Sequence, residues 1–314
     1  MTANLVRKYR IDDPKKFRLT DFDPADTGGF ADKERAKSIV AKNAGELREL
    51  QEKLFAQDQW AILIILQGMD AAGKDGIIEH VMQGINPQGF QIHAFKAPTD
   101  KELSHTFLWR AVLHLPERGY IGIHNRSHYE ECLVVRVHPE FLAKQKIPPK
   151  LVTRKLWQER YDDINNFERH LARNGTVVLK FHLRVSKEEQ RQRFLERIDE
   201  PAKRWKFNMG DIAERALWEK YMAAYQDAIQ NTSTPHAPWY VVPADRKWFA
   251  RLVVSTVLLE TMKGLGLKFP VVEGNALAEL KKVRSILAGE ATGTAKPPRA
   301  IKPPRATRPP RAKR

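Results

Sequence analysis

One stretch narrows the possible folds more than any other. It is GMDAAGKDG at 68–76, directly after the apolar run WAILIIL at 60–66. The spacing G-x-x-x-x-G-K belongs to a loop that cradles phosphate between a buried strand and a helix. Backbone N–H groups of such a loop, Gly68, Ala71, Ala72 and Gly73 among its residues, point inward and form an anion nest. The helix that follows adds its positive end. Lys74 adds a mobile point charge that can follow a phosphoryl group. The spacing alone also arises by chance. The apolar run before it and the amphipathic pattern after it (Ile77, Ile78, Val81, Met82) supply the context that makes it meaningful.

The residue after the lysine is usually Ser or Thr, whose hydroxyl holds Mg²⁺, and here it is Asp75. Asp70 is a second acid inside the loop. Two carboxylates repel phosphate unless a divalent cation lies between, so the loop reads as a site for a metal plus a polyanion.

The chain has 314 residues, enough for one large α/β domain or two small ones, and 42% hydrophobic residues, enough for a core. Residues 295–314 hold eight Lys or Arg and no acid, which is half of the formal net charge of +16. A body that stays basic without them points to polyanionic partners. Cys132 is the single cysteine, which excludes an intrachain disulfide and fits a reducing compartment. The N-terminus lacks the apolar core of a signal peptide, and the run at 60–66 is too short to span a bilayer. A cytoplasmic protein with no membrane contact is expected.

Residues 1–30 read as an extended arm and 31–57 as a helix. Strands are expected at 60–67, 90–95, 120–123, 176–183 and 239–242. Helices are expected at 100–114, from near Ser127, at 162–173 and at 246–265. Alternating strands and helices imply a parallel sheet covered on both faces. With the phosphate loop after the first strand, the fold class is α/β, a P-loop kinase-like three-layer α/β/α sandwich, with ligand at the carboxyl ends of the strands. The expected divisions are an arm and helix at 1–58, the phosphate-loop domain at 59–270 with a helical lid at about 184–212, a helical extension at 271–294 and a tail at 295–314. The tail repeats [KR]-P-P-R-A, which favours polyproline II and disorder with loose, non-specific affinity for nucleic acid.

Two further segments carry chemistry. At the end of the third strand, Asn125 stands where a P-loop enzyme places its metal-side acid. Arg126 beside it can bind phosphoryl oxygens in a bidentate way. Glu130 and Glu131, about one turn on, can hold a base, a ribose or a second metal. Glu130 also fits a capping box with Ser127. His124 and His128 are only two ligands, too few for a metal site of their own. The second segment, 184–206, is rich in Arg and Lys. Arg193 and Arg197 share one helix face, and Pro201 breaks the helix. A charged helix followed by a break is where P-loop kinases place a lid that brings cations to the transferred group. The plain alternative is a solvated helix with pairs such as Glu189–Arg193.

Together these segments resemble the polyphosphate kinase 2 family over roughly residues 5–270. The resemblance rests on GMDAAGKDG at 68–76, NPQG at 86–89, NRSHYEECLVVRVHP at 125–139, RYDDINNFER at 160–169, KRWKFNMGD at 203–211 and STPHAPWYVVPA at 233–244. It implies phosphoryl transfer between inorganic polyphosphate and a nucleotide, with Mg²⁺. By motif, Asp70 would bind the metal and orient the attacking oxygen, and Lys74 and Arg126 would contact the phosphates. Asp75 stands where the family also departs from Ser/Thr. Arg193, Lys203 and Arg204 would grip the chain. Asn125 and Glu130, in the form NRSHYE, resemble the group that accepts both AMP and ADP. Family members commonly form dimers or tetramers, so a homo-oligomer is expected.

The chemistry agrees with the composition. A linear polyanion needs many cations and binds in a salt-dependent way. Phosphoryl transfer needs positioning and charge more than a nucleophilic side chain. The rival readings are an ATP-dependent small-molecule kinase of the same fold and a non-enzymatic polyanion-binding protein that works through its tail.

Overall fold

The computed structural model describes residues 2–291. Residues up to Phe269 form one compact unit, and a second begins at Pro270. The expected disorder of 295–314 concerns residues outside those described.

The chain begins with a helix, α1 (Thr2–Tyr9), rather than a fully extended arm. It lies over the body. Leu5 and Tyr9 are buried, and the Tyr9 ring meets Phe249 edge-on at 5.8 Å. The amphipathic helix α2 (Lys33–Gln57) is capped by Asp32, which accepts from the N–H of Glu34 and Arg35. It leads into β1 (Ala61–Gln67), whose seven residues are all buried. Its apolar run from Ala61 to Leu66 is what a parallel sheet covered on both faces requires. Then come α3 (Lys74–Val81) and β2 (Phe90–Ala94). The helix expected at 100–114 is two single turns, α4 (Asp100–Leu103) and α5 (Trp109–Val112). Side chains end the first: Ser104 Oγ bonds Asp100 O and His105 Nδ1 bonds Lys101 O, competing with the continuing ladder.

β3 (Ile121–Asn125) ends in a short 3₁₀ turn, His128–Glu131, followed by α6 (Val134–Val137) and α7 (Pro139–Leu142). The amphipathic α8 (Leu156–Arg173) precedes β4 (Thr176–Arg184), and α9 (Lys187–Asp199) follows it. A 3₁₀ segment, Pro201–Lys206, ends α9 where Pro201 was expected to break it. After α10 (Gly210–Ala216) and α11 (Trp218–Thr232) come β5 (Trp239–Pro243) and α12 (Lys247–Gly264), whose middle is buried. In the second unit, α13 (Gly274–Ala291) carries exposed Leu277, Leu280, Val283 and Leu287.

All five strands are parallel, in the order β2-β3-β1-β4-β5. One set of helices (α1, α2, α3, α12) packs together, as does another (α6, α8, α11), which gives the layered α/β architecture. The chain leaves β1 toward β2 and leaves β4 toward β5, so the connections of these two neighbours diverge. A crevice opens there at the carboxyl ends. The outer edge of β5 is not free. Ile11 donates to Trp239 O at 2.9 Å, and Arg10 bridges Tyr240 in antiparallel fashion. The N-terminal segment thus protects an edge that could otherwise template aggregation. Among the described residues, no helix is long and apolar enough to cross a membrane.

Candidate active site

The loop after β1 is shaped by backbone constraints. A Cβ at Gly68 would lie 2.8 Å from the carbonyl oxygen of Leu183 on β4, so only glycine lets the chain pass. Ala71 (φ 62) and Gly73 (φ 106) are left-handed, and α3 starts at Lys74. Such a run turns successive N–H groups to one side, as an anion nest requires. Lys74 is 9% exposed, and its Nζ donates to Gly68 O at 2.7 Å and Met69 O at 3.2 Å. Burial, helped by the Arg126 guanidinium, pulls its ammonium pKa down from 10.5 to about 8. The loop therefore holds its cation in reserve, bonded to carbonyls it can exchange for phosphate oxygens.

The register of the sheet brings the second segment to the loop. Leu66 lies opposite Asn125, and Arg126 N–H continues the ladder to Leu66 O at 3.0 Å. Arg126 is left-handed (φ 62), which aims its side chain across the loop. Its Nη2 donates to Asp70 Oδ1 at 2.6 Å and its Nη1 to Glu130 Oε2 at 3.2 Å. Glu130 is the main influence raising the guanidinium pKa, with Asp70 adding to it. Asn125 Nδ2 donates to Asp75 Oδ1 at 2.7 Å. The capping box expected of Ser127 and Glu130 does not form. Ser127 Oγ accepts from the N–H of Tyr129 and from Gln67 Nε2, while Glu130 serves Arg126. His124 and His128 do not converge: His124 Nε2 faces His114 O, and His128 Nε2 lies 3.7 Å from Glu168.

The basic segment separates into two kinds of residue. Arg193 is 4% exposed and makes five hydrogen bonds, to the carbonyls of Ala71, Ala72, Ala244 and Asp245 and to Glu189. It was expected to grip the phosphate chain. Its guanidinium lines the cavity and at the same time pins the phosphate loop to the end of β5. Arg204 departs from that expectation. Its donors close the end of α9 at Ile198 O and Asp199 O, and it does not line the cavity beside the loop. Lys203 does line it, paired with Glu200, together with Arg197 and Lys206.

That cavity measures about 880 Å³ and runs from Asn125 and Arg126 past Asp70, Lys74 and Asp75 to Arg197, Lys203 and Lys206. Its far wall belongs to α12, through Lys247 and Arg251, two cations the sequence reading missed. Gln190 was missed as well; its Nε2 donates to Asp70 O at 2.9 Å and steadies the loop's acid. The basic doublet Arg246-Lys247 shortly after a strand was a usable signal, whereas nothing local marked Gln190. Among the described residues, no cluster of three or more His, Cys, Asp or Glu could hold a metal alone. A second groove of about 590 Å³, between residues 15–20 and Gln226 and Gln230, has lysines but no part of the loop.

A phosphate nest on a parallel sheet, a neighbouring strand end that delivers Arg126, and a basic wall beside both define a P-loop phosphotransferase. Comparison with known proteins narrows this. The family model "Polyphosphate kinase 2 (PPK2)" matches residues 30–269. The ADP-polyphosphate phosphotransferase of Rhodopseudomonas palustris is 46% identical over 283 residues, which cover 90% of this chain and 98% of the relative. The AMP/ADP-polyphosphate phosphotransferase of Meiothermus ruber is 46% identical over 266 residues, 84% of this chain and 96% of that one. The crystal structure of polyphosphate kinase 2 from Arthrobacter aurescens TC1 superposes with a TM-score of 0.82 at 42% identity, covering 90% of this chain and 96% of that one. The chain belongs to the polyphosphate kinase 2 family and is a phosphotransferase.

Proposed function

We propose that this protein transfers a phosphoryl group, reversibly, between inorganic polyphosphate and ADP or AMP. The observation that carries the reading is the shared cavity. It contains the phosphate nest, the Asp70–Arg126 pair, and cations from α9, the 3₁₀ segment after it and α12. A nucleotide alone does not need so long a basic wall, and a linear polyanion does. The names of the two relatives supply the acceptors.

In the transfer, a terminal phosphate oxygen of the acceptor attacks the terminal phosphorus of polyphosphate. One P–O–P bond forms, one breaks, and the shortened chain leaves with the electron pair. Lys74 exchanges its two carbonyl partners for oxygens of the moving group. Arg126 neutralises charge on the same group, held in place by Asp70 and Glu130. Arg197, Lys203 and Lys206 hold the donor and exclude water when the lid closes. Asn125 lines the acceptor side, and Glu130, expected at the nucleotide, acts there through Arg126 rather than from the cavity wall.

The donor set fits Mg²⁺, which is usually held by one or two carboxylates together with substrate phosphates. Asp70 is part-exposed at the cavity wall and suits that role. Bound there, the ion would offset charge between carboxylate and phosphate. Buried Cys132 suits a cytoplasmic setting, and a homo-oligomer follows from the resemblance.

The test supplies polyphosphate, Mg²⁺ and AMP or ADP, with no other donor, and measures ATP. Steady ATP formation is expected. Its absence, with transfer from ATP to another small molecule in the same preparation, would make the protein an ATP-dependent kinase.

A further inference from the structure

The RYDDINNFER motif at 160–169 has no part in the site described so far, yet it holds two buried charges. Both lie on the inner face of α8, Arg160 at 3% exposure and Glu168 at 0%. Both reach the turn that follows Arg126. Glu168 accepts from Tyr129 Oη at 2.8 Å and pairs with Lys180 of β4, itself 0% exposed. Lys180 Nζ also donates to Tyr129 Oη at 2.9 Å and to Thr232 O at 2.7 Å. Arg160 Nη1 donates to Glu131 O at 2.7 Å and lies 3.5 Å from the Glu131 carboxylate. Glu131 and Arg160 both bond Gln145. Glu130, which holds Arg126, therefore sits between two residues that are each tied to α8.

Stability does not account for this arrangement. A buried ion pair is often no better than an apolar pair of the same volume, because desolvation offsets the attraction. Strain accounts for it better. Arg126 keeps a left-handed backbone without being glycine. Such a conformation persists only where the surroundings over-determine it. We propose that the Lys180–Glu168–Tyr129 and Arg160–Glu131 contacts form a two-sided brace that fixes the 126–131 turn. Through that turn the brace fixes the Asp70–Arg126–Glu130 charge chain, so Glu168 and Arg160 are positioning residues for phosphoryl transfer.

The kinetic arm of the test rests on the phosphotransferase reading above, and a second arm does not. Two variants of the full chain are compared with the parent: the apolar double replacement Lys180→Met with Glu168→Leu, and Tyr129→Phe, which keeps both charges. Amide hydrogen exchange over 126–131 is expected to quicken about tenfold or more, with β1 unchanged. The kcat is expected to fall about tenfold to a hundredfold, as for a small misplacement of a catalytic group, with KM for both substrates within about threefold. Unchanged exchange over 126–131 overturns the brace whatever the kinetics. Faster exchange with unchanged kcat overturns the positioning role. If the double replacement does not fold, Tyr129→Phe decides by the same two readings. Lack of polyphosphate-dependent turnover by the parent marks failure of the functional reading instead, and the exchange measurement still judges the brace.

Discussion

The cations around the cavity fall into an inner and an outer group. Lys74, Arg126 and Arg193 are part-exposed or buried, and each is bonded to named carbonyls or carboxylates. The outer cations, among them Lys203 and Lys206, stand on the short 3₁₀ segment after α9, beside Trp205 at 77% exposure. Buried, fully bonded cations hold a fixed geometry and act strongly at low dielectric. Exposed cations keep their freedom, are screened by salt, and bind by number rather than by position. The inner group should therefore govern kcat, and the outer group should govern affinity for the donor.

The comparison breaks most clearly at the inner group. Lys74→Ala and Asp70→Asn should each lower kcat by about a thousandfold or more, while circular dichroism and Tm stay near the parent's. Near-normal rates in either would remove the site assignment. Arg193→Ala should cost about 2–4 kcal/mol of stability and about a hundredfold in kcat, because two phosphate-loop carbonyls and two carbonyls after β5 lose their donor. A change confined to the KM for polyphosphate, with Tm intact, would return Arg193 to the outer group.

The pH profile sharpens the same contrast. The Lys74 pKa is lowered to about 8 in the folded protein, so its charge is lost as pH rises through that value. The kcat/KM for polyphosphate, which reports the free enzyme, should fall about tenfold per pH unit above the midpoint. The sign for stability is opposite. Between about 8 and 10.5 the unfolded chain binds more protons at this group, so its contribution to stability grows with pH across that window. A flat kcat/KM from pH 7 to 10 would contradict a catalytic Lys74 held in this setting.

Smaller effects belong to the outer group. Lys203→Ala and Lys206→Ala should each raise KM for polyphosphate about three- to tenfold, leave kcat nearly unchanged, and flatten the dependence of log KM on log salt. The smallest effect is expected from deleting 295–314, with kcat/KM within about twofold of the parent. A tail that works as the functional part would show the reverse.

Local features were legible in the sequence. The loop at 68–76 was readable because its chemistry lies within one turn of the chain and depends on glycines at fixed offsets. The central strand β1 was readable because a strand covered on both faces must be apolar along its run, as Ala61 to Leu66 are. The helix at 100–114 failed because Ser104 and His105 bond their own backbone, a competition that apolar spacing does not register. Arg193 and Arg204 look alike in a basic run, and only burial and partners tell an anchor from a ligand residue. Lys247 and Arg251 reach the cavity from α12, far along the chain from the loop.

The sequence by itself determined the presence of a phosphate nest, the alternation that makes a parallel sheet, and the supply of positive charge, because each follows from residue types at short range. Tertiary structure alone decided which charges meet. Strand register set Asn125 and Arg126 against the loop, and burial divided the arginines into those that hold the loop and those free to hold a substrate. Pairing between distant groups depends on distance and solvent exclusion, and neither is written in the order of residues.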